Sequence, residues 1–316
     1  GLSVIGDTDH VEAFMFSCES LDERTVEVLK QVAAGLSLKT KSFFYQSYAE
    51  SFYQYMVHQP EDIWVRQVLL YDYHSDVMKI YRMECNRRTT PMVVYIEKDE
   101  RNFFACGDYP EEEEKKQNVF TQMDEKMLAM AQELAEGQMI TSVYLIGEGF
   151  SEEWMKESLR FLCRNRRVFQ GNNLYSKGAC YALRERLYPT EISGRYVFLG
   201  EDKLKANIGM KVYRQGESSY LALLDAGVSW YDARFQTEVY LDEGNSFDIV
   251  LTPLNGKDAR YGKVTLTGLP ERKTPTRLYI EISMTGENKV RLYVEDLGFG
   301  ELSPSGYQKW TENFEI

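Results

Sequence analysis

The sequence predicts a chain in two parts: mixed α/β over about residues 1–190 and all-β over about residues 195–316. Two observations carry this. The first is Val143-Tyr-Leu-Ile-Gly-Glu-Gly-Phe-Ser-Glu-Glu-Trp154, an apolar run that ends in a Gly-x-Gly turn and is followed by an amphipathic stretch. Strand, tight glycine turn, helix is how an open α/β sheet presents backbone N–H groups at its strand ends. The second is a change of texture after Tyr188. From there, short segments of alternating polarity, spaced by turn residues, run nearly to the C-terminus. That is the pattern of a β-sandwich.

In chain order, Val11–Phe16 reads as a short buried strand. Ser20 or Asp22 can cap the helix that follows, whose Val26, Leu29, Val32, Ala33 and Leu36 share one face, with Gly35 near its stop. Thr40–Tyr45 reads as another strand. Tyr48, Phe52, Tyr55 and Met56 then form a helical stripe that ends near Pro60. Val65–Tyr71 and Val77–Met83 form a hairpin around Asp72–Asp76, and Met92–Ile96 adds a strand. The acidic run Glu111–Glu114 with Lys115-Lys116 reads as a solvated loop. Met123, Met127, Met130, Ala131 and Leu134 mark the core face of a helix over Thr121–Glu136. Gly171-Asn172-Asn173 is a turn before a small-residue helix, with Asn173 as its N-cap.

A domain boundary is expected near Glu191–Gly194. Beyond it, Tyr220–Leu224, Gln236–Leu241, Phe247–Leu251, Lys263–Thr267, Arg277–Met284 and Val290–Val294 are the clearest strands. Asp242–Asn245, Asn255-Gly256 and Gly286–Asn288 supply turns between them.

Length and composition fit this plan. A chain of 316 residues suits about two domains, and 43% hydrophobic residues provide material for packed cores. The net charge of -12 argues against nucleic acid and against anionic membranes as partners, because both need clustered Lys and Arg. Cys18, Cys85, Cys106, Cys163 and Cys180 form no C-x-x-C pair, and with His10, His58 and His74 they give no metal-ligand spacing. No metal is expected. The thiols read as those of a reducing, cytoplasmic compartment. No signal peptide or membrane-spanning run is visible. Gly1 in place of Met reads as a processing scar, with an N-terminal portion removed.

Several segments, in order, resemble the C-terminal two-thirds of a seventy-kilodalton heat-shock (DnaK-type) chaperone, a branch of the actin-like ATPase superfamily. Phe14–Arg24 with its helix to Ala34-Gly35-Leu36 is similar to the end of lobe I. Tyr45-Gln-Ser-Tyr-Ala-Glu-Ser-Phe52 takes the place of that family's Asn-Glu-Pro-x-Ala-Ala-Ala. Leu69–Val77 falls where the family has its second phosphate loop. Val143–Ala182 resembles the adenosine turn and return helix. Lys263-Val-Thr-Leu-Thr-Gly-Leu-Pro270 resembles a strand of the peptide-binding sandwich, and Val290–Asp296 its next hairpin arm. The resemblance spans about Val11–Gly300, and it is closer to an uncharacterised bacterial family of degenerate members. It implies a partial actin-like (ribonuclease H-like) ATPase lobe, the end of lobe I plus a reduced lobe II, followed by a chaperone-type β-sandwich.

The departures from the family bear on chemistry. Asp72 stands where a carboxylate would face Mg²⁺, but Tyr73, His74 and Ser75 replace three glycines that let the backbone wrap phosphates. Gly147-Glu148-Gly149 puts a carboxylate in the adenosine turn, which repels phosphate. The span from Asp72 to Gly147 leaves little room for the family's adenine-binding subdomain.

The resemblance thus implies a non-catalytic, chaperone-like protein that binds a protein or peptide partner and takes no cofactor. The alternative is an ATP-binding chaperone, with Mg²⁺, completed by a missing N-terminal segment. Nucleotide, if any, falls to Asp72, Gly147, Gly149 and Asn172. Peptide falls to Trp230 and Tyr231, aromatic anchors in the first sandwich loop, unless both rings simply cover the core. Three other patterns stay open. Asp72, His74 and Asp76 form either an acid–base cluster or a polar hairpin tip. Arg164-Asn-Arg-Arg167 either holds an anion or complements a helix end. Phe299, between glycines, either tucks the chain against the sandwich or forms a binding edge.

Overall fold

The computed structural model describes residues 10–36, 39–40, 42–254 and 258–316. Gly1 and the expected Asn255-Gly256 turn lie outside the described residues. The chain is mixed α/β and mostly strand, with its helices between residues 23 and 195 among the described residues. It divides into two units, Gly1–Leu21 with Leu29–Phe198, and Asp22–Val28 with Leu199–Ile316.

The first unit begins with strand β1 (Phe14–Cys18), parallel to β2 (Phe43–Ser47), with helix α1 (Glu23–Gly35) between them in sequence. Helix α2 (Tyr48–Val57) starts directly off β2, because the Ser47 hydroxyl accepts the Glu50 N–H at 3.1 Å. The strand thus runs to Ser47, past the Tyr45 end expected from sequence.

The principal sheet has six strands, β3 (Gln67–His74), β4 (Val77–Asn86), β5 (Met92–Asn102), β6 (Ile140–Ile146), β7 (Arg167–Gln170) and β8 (Tyr196–Phe198), in the order β7-β6-β3-β4-β5-β8. β3, β4 and β5 form an antiparallel meander, while β6 lies parallel to β3 and to β7. β3 is buried on both faces. Leu69, Tyr71 and Tyr73 pack with Met123, Met127 and Met130 of helix α3 (Glu113–Ala135). Val68 and Leu70 pack with Phe52 and Met56 of α2. The methionine stripe is therefore core, as its spacing predicts.

The acidic run is loop only at Glu111 and Glu112. Glu113 and Glu114 form the first turn of α3, where carboxylates meet the positive end of the helix dipole. Helix α4 (Glu157–Leu162) precedes β7, and helices α5 (Leu174–Leu187) and α6 (Glu191–Arg195) precede β8. α2 and α5 pack at backbone distance: a Cβ on Gly178 would fall 1.9 Å from the Ser51 carbonyl oxygen. Asn173 holds the N-cap position of α5 but makes no side-chain capping bond.

The second unit holds β9 (Ala206–Arg214), β10 (Glu217–Leu224), β11 (Arg234–Leu241), β12 (Ser246–Pro253), β13 (Arg260–Thr265), β14 (Thr276–Gly286), β15 (Lys289–Glu301) and β16 (Lys309–Glu315). They form two four-stranded antiparallel sheets, β10-β9-β12-β13 and β11-β14-β15-β16. The six strands expected from sequence are all present; β9 and β16 were not singled out. Burial alternates strictly along β14, with Leu278, Ile280 and Ile282 inward. The β9–β10 hairpin turns on Gln215-Gly216, both at positive φ, as a two-residue turn between twisted strands requires.

Asp296 organises the chain after β14. Its carboxylate accepts two bonds from Arg272, at 2.9 and 2.7 Å, and the N–H groups of Gly298 and Gly306. Phe299 bridges to Ser303 and lies 6.0 Å from the Tyr240 ring, so this segment is tied down locally.

Candidate functional site

The candidate nucleotide residues do converge, at the C-terminal ends of the parallel strands β3 and β6. Asp72 pairs with Ile146 across them, and Gly147 follows. Asp72 is 3% exposed. Its Oδ2 accepts a 2.7 Å bond from the Tyr175 hydroxyl of α5, and its Oδ1 lies 3.0 Å from His74 Nε2. Burial pushes the Asp72 carboxyl up from its ordinary value, against the Tyr175 bond and the nearby His74 and Lys79, which pull it down. The Tyr175 phenol is raised in turn, by burial first and then by Tyr81 and Asp72. Tyr48 covers it, with rings 4.3 Å apart and 6° from parallel. Lys79, opposite Asp72 on β4, turns instead to Glu19 at 2.6 Å.

The glycine turn is filled by the protein itself. A Cβ on Gly147, whose φ is +104°, would fall 2.2 Å from the Tyr73 carbonyl oxygen. A Cβ on Gly149 would fall 2.1 Å from Tyr73 Cδ1. The Gly147 N–H, the donor such a turn would offer an anion, donates to Asn172 Oδ1 at 3.2 Å. The Gly149 carbonyl accepts from Trp154 Nε1 at 2.8 Å, and the Phe150 carbonyl from Gln170 Nε2 at 2.7 Å. The sequence shows Tyr73 replacing a glycine of the phosphate loop; the fold adds that its ring and backbone occupy the space against both Gly147 and Gly149.

His74 caps the hairpin beside two carboxylates, with Nδ1 3.9 Å from Glu148 Oε1. β3 extends through His74, so Asp72 and His74 share a face, and the turn itself is Ser75-Asp76 with Ser75 at φ 53°. Glu148 is held below the usual carboxylate range by the Ser75 N–H first, then by the Cys106 thiol. Asp76 lies in the turn, where its carbonyl accepts the Phe103 N–H at 2.6 Å. No group of three or more His, Cys, Asp or Glu among the described residues is placed to hold a metal ion. In the basic run, Arg166 donates to the Phe161 carbonyl, and Arg167 pairs with Asp62 at 2.8 Å.

In the second unit, Trp230 is 7% exposed. Its backbone N–H donates to the Asp202 carbonyl at 3.0 Å, and the Tyr231 hydroxyl lies 3.4 Å from Asp202 Oδ2. Next to them, buried Lys203 donates to Ser229 Oγ at 2.7 Å. A cleft of about 470 Å³ opens where the β9–β10 hairpin meets β11 and Asp242-Glu243. Met210, Val212, Leu221 and Phe247 line it from one sheet, Val239 and Leu241 from the other. Arg214, Glu238, Asp242 and Glu243 stand among its polar lining. Asp242 and Glu243 belong to the Asp242–Asn245 loop, which by its position in a chaperone-type sandwich is, with the loop after Asp225, a nearest candidate for holding peptide.

No helix among the described residues is long and apolar enough to cross a membrane. Comparison with known proteins finds no match among curated proteins. A solved structure titled "Alp12 filament structure" is similar at 11% identity and a TM-score of 0.34, over 48% of this chain and 56% of that one. One titled "Archaeal protein" is similar at 15% identity and a TM-score of 0.20, over 41% and 36%. The chain thus spans about half or less of the length of these structures, and neither likeness bears on function. Residues 203–316 match a "Domain of unknown function (DUF8552)". Residues 2–201 match the "Family of unknown function (DUF5716) C-terminal", and the chain belongs to that family.

Proposed function

We propose that this is a non-catalytic, chaperone-like cytoplasmic protein that holds an extended segment of a protein or peptide partner. In this reading the first unit is a partial actin-like domain that has lost its nucleotide. The second is a chaperone-type sandwich whose two sheets grip the partner. The observation that carries the proposal is the cleft between the sheets. It is lined by both apolar and charged residues, and its volume is in the range of ligand-holding sites. β10 and β11 are the outer strands of their sheets on this side, so a bound segment can take main-chain hydrogen bonds there while its side chains enter the cleft.

The strand-end geometry supports the loss of nucleotide. A phosphate at the Gly147 turn would have to displace Asn172, and the Tyr73 ring leaves no space beside Gly149. Asp72, buried and bonded to Tyr175, is withdrawn from the solvent a hydrated Mg²⁺ would need. The residues present do not fit ATP and Mg²⁺.

Two titrations test the reading. Labelled short apolar peptides should bind the chain with a Kd under about 100 μM, and Val239→Gln in the cleft should weaken them. Calorimetry with Mg-ATP should give no binding near about 1 μM. Absence of peptide binding removes the chaperone-like reading, and tight Mg-ATP binding removes the non-catalytic one.

A further inference from the structure

β1 and β2 form a two-stranded parallel sheet of their own. One face is covered by helices. Ser17 Oγ lies 2.8 Å from Ser51 Oγ on α2, and the Arg186 guanidinium of α5 sits 5.0 Å from the Phe44 ring centre. The other face is paved with rings. Phe14 lies 5.0 Å from Phe16, and Phe16 stacks on Phe43 and Tyr45 at 6.3 and 6.0 Å. β2 is buried from Tyr45 to Ser47, whereas every residue of β1 is half-exposed.

The outer edge of β1 is open. The Phe14 N–H donates to the Ser42 carbonyl at 2.9 Å, so the main-chain groups of Phe14, Phe16 and Cys18 face β2. Those of Met15 and Ser17 face the opposite way and meet no partner among the described residues. Unpaired N–H and C=O groups template another strand, and native edges are blunted against this by charge, proline or shortness. In the same unit, β7 carries Arg167 and β8 has only 3 residues. The Phe-Met-Phe-Ser-Cys of β1 has none of these devices.

The strand is its own complement. A two-fold axis through Phe16 sets two β1 strands antiparallel, with Met15 of each copy opposite Ser17 of the other, so the outward main-chain groups exchange hydrogen bonds at both places. Phe16 then faces Phe16 at the non-hydrogen-bonded site, where opposed side chains come closest, and the paved face continues across the join. Charge allows this contact where it opposes others. A net charge of -12 makes two copies repel, but β1 is uncharged. In this register Glu12 falls opposite Ser20 and Glu19 opposite Ala13. Glu19 is moreover paired with Lys79 at 2.6 Å and Lys98 at 2.7 Å. A charged partner strand would find no counter-charge along β1 itself.

We propose that the open edge of β1 pairs with β1 of a second copy of this chain, giving one continuous sheet in the order β2-β1-β1-β2. β1 belongs to the first unit and the cleft to the second, so this proposal does not rest on peptide binding.

Sedimentation velocity over a concentration series decides it. The chain should pass from monomer to dimer at or below about 100 μM. Met15→Pro removes an outward N–H that the β1–β2 pairing does not use, and proline is tolerated on such an edge. It should abolish the dimer, with thermal unfolding unchanged at concentrations where the parent is a monomer. Phe14→Cys puts a thiol opposite Cys18 of the second copy, at a spacing that suits a disulfide. Mild oxidation should then cross-link residue 14 to Cys18, and adding Cys18→Ser should remove that link. With no variant at all, amide exchange over residues 14–18 should slow as the dimer forms. A monomer at every concentration, a dimer that survives Met15→Pro, or cross-links through Cys85, Cys106, Cys163 or Cys180 in place of Cys18 would overturn the proposal. So would slow exchange over residues 14–18 in the monomer, which would mean that the same polypeptide covers the edge.

Discussion

Gly149 is glycine because of Tyr73. A Cβ at residue 149 would stand 2.1 Å from Tyr73 Cδ1, and the Tyr73 ring is fully buried against Phe103, Phe150 and Trp154. Its hydroxyl donates to the Phe104 carbonyl at 2.6 Å, which fixes the far end of the ring. The glycine turn that suggests an anion site in sequence is, in the fold, a packing device.

Gly149→Ala should therefore destabilise the protein by about 1–3 kcal/mol, the usual cost of forcing a methyl group into a filled core. In a Tyr73→Leu background the added cost should shrink, because the clashing ring is gone. Urea unfolding of the four proteins gives the coupling. Strict additivity would mean that Tyr73 is not the obstacle.

How far the sequence could be read follows from the same pair. Strand, turn and helix around residues 140–154 were legible, because apolar run and glycine spacing are local signals. The convergence of Asp72, Gly147 and Asn172 was legible through the family resemblance. The Tyr73 ring filling the turn was not, because its contact with Gly149 joins residues 76 apart in sequence. The first turn of α3 was missed for a different reason. Four consecutive Glu lack helical periodicity, and only the helix dipole makes Glu113 and Glu114 favourable there. At Trp230 an aromatic pair was weighed by residue type alone. Its burial depends on Asp202, Lys203 and Ser229, which nothing near it in sequence announces.

Asp124 on α3 holds the start of α4. Its carboxylate accepts the N–H of Glu157 at 2.8 Å and that of Ser158 at 3.0 Å, plus the Ser158 hydroxyl. Burial raises this carboxyl, but the hydrogen bonds from Ser158 and Glu157 outweigh it, and the net direction is down. Its stabilising contribution is thus present above the unfolded Asp value and lost as pH falls through the lower folded value. Asp124→Ala should cost about 1–3 kcal/mol at neutral pH. The gap between variant and parent should close in acid, as thermal unfolding across pH will read. A gap constant into acid would show that the charge plays no part.

Asp72 has the opposite sign. Its folded carboxyl is raised by burial, so the stability linked to its proton is complete below the unfolded value and is lost as pH rises through the folded one. Asp72→Asn removes the buried charge and keeps an oxygen for the Tyr175 hydroxyl. It should gain on the order of 1 kcal/mol at neutral pH, with the gain fading on acidification. A large loss of stability at neutral pH would show that the ionised carboxylate is itself a structural partner.

Arg272 and Asp296 form a buried pair, with side chains 6% and 0% exposed. Arg272→Met should cost about 3–5 kcal/mol, because it leaves a carboxylate buried with only the Gly298 and Gly306 N–H groups to face. Arg272→Met with Asp296→Asn should recover part of that loss. If the double variant is no more stable than Arg272→Met, the cost lies in lost packing and not in the stranded charge.

Trp230 and Val239 separate structure from binding. Trp230 is buried in the segment between β10 and β11, and that segment is fastened by the Lys203 bond to Ser229 and the Trp230 bond to Asp202. Trp230→Ala should cost about 3–5 kcal/mol, as removal of a buried aromatic ring does. Trp230→Phe keeps most of the volume and should leave peptide affinity unchanged. Val239 is half-buried on an outer strand and lines the cleft, so Val239→Gln should keep most of the stability and lose affinity. Peptide titration and thermal unfolding on the same samples give a two-by-two outcome. If Trp230→Phe loses affinity at unchanged stability while Val239→Gln keeps it, the partner sits on the Trp230 segment and the cleft is only a gap between sheets.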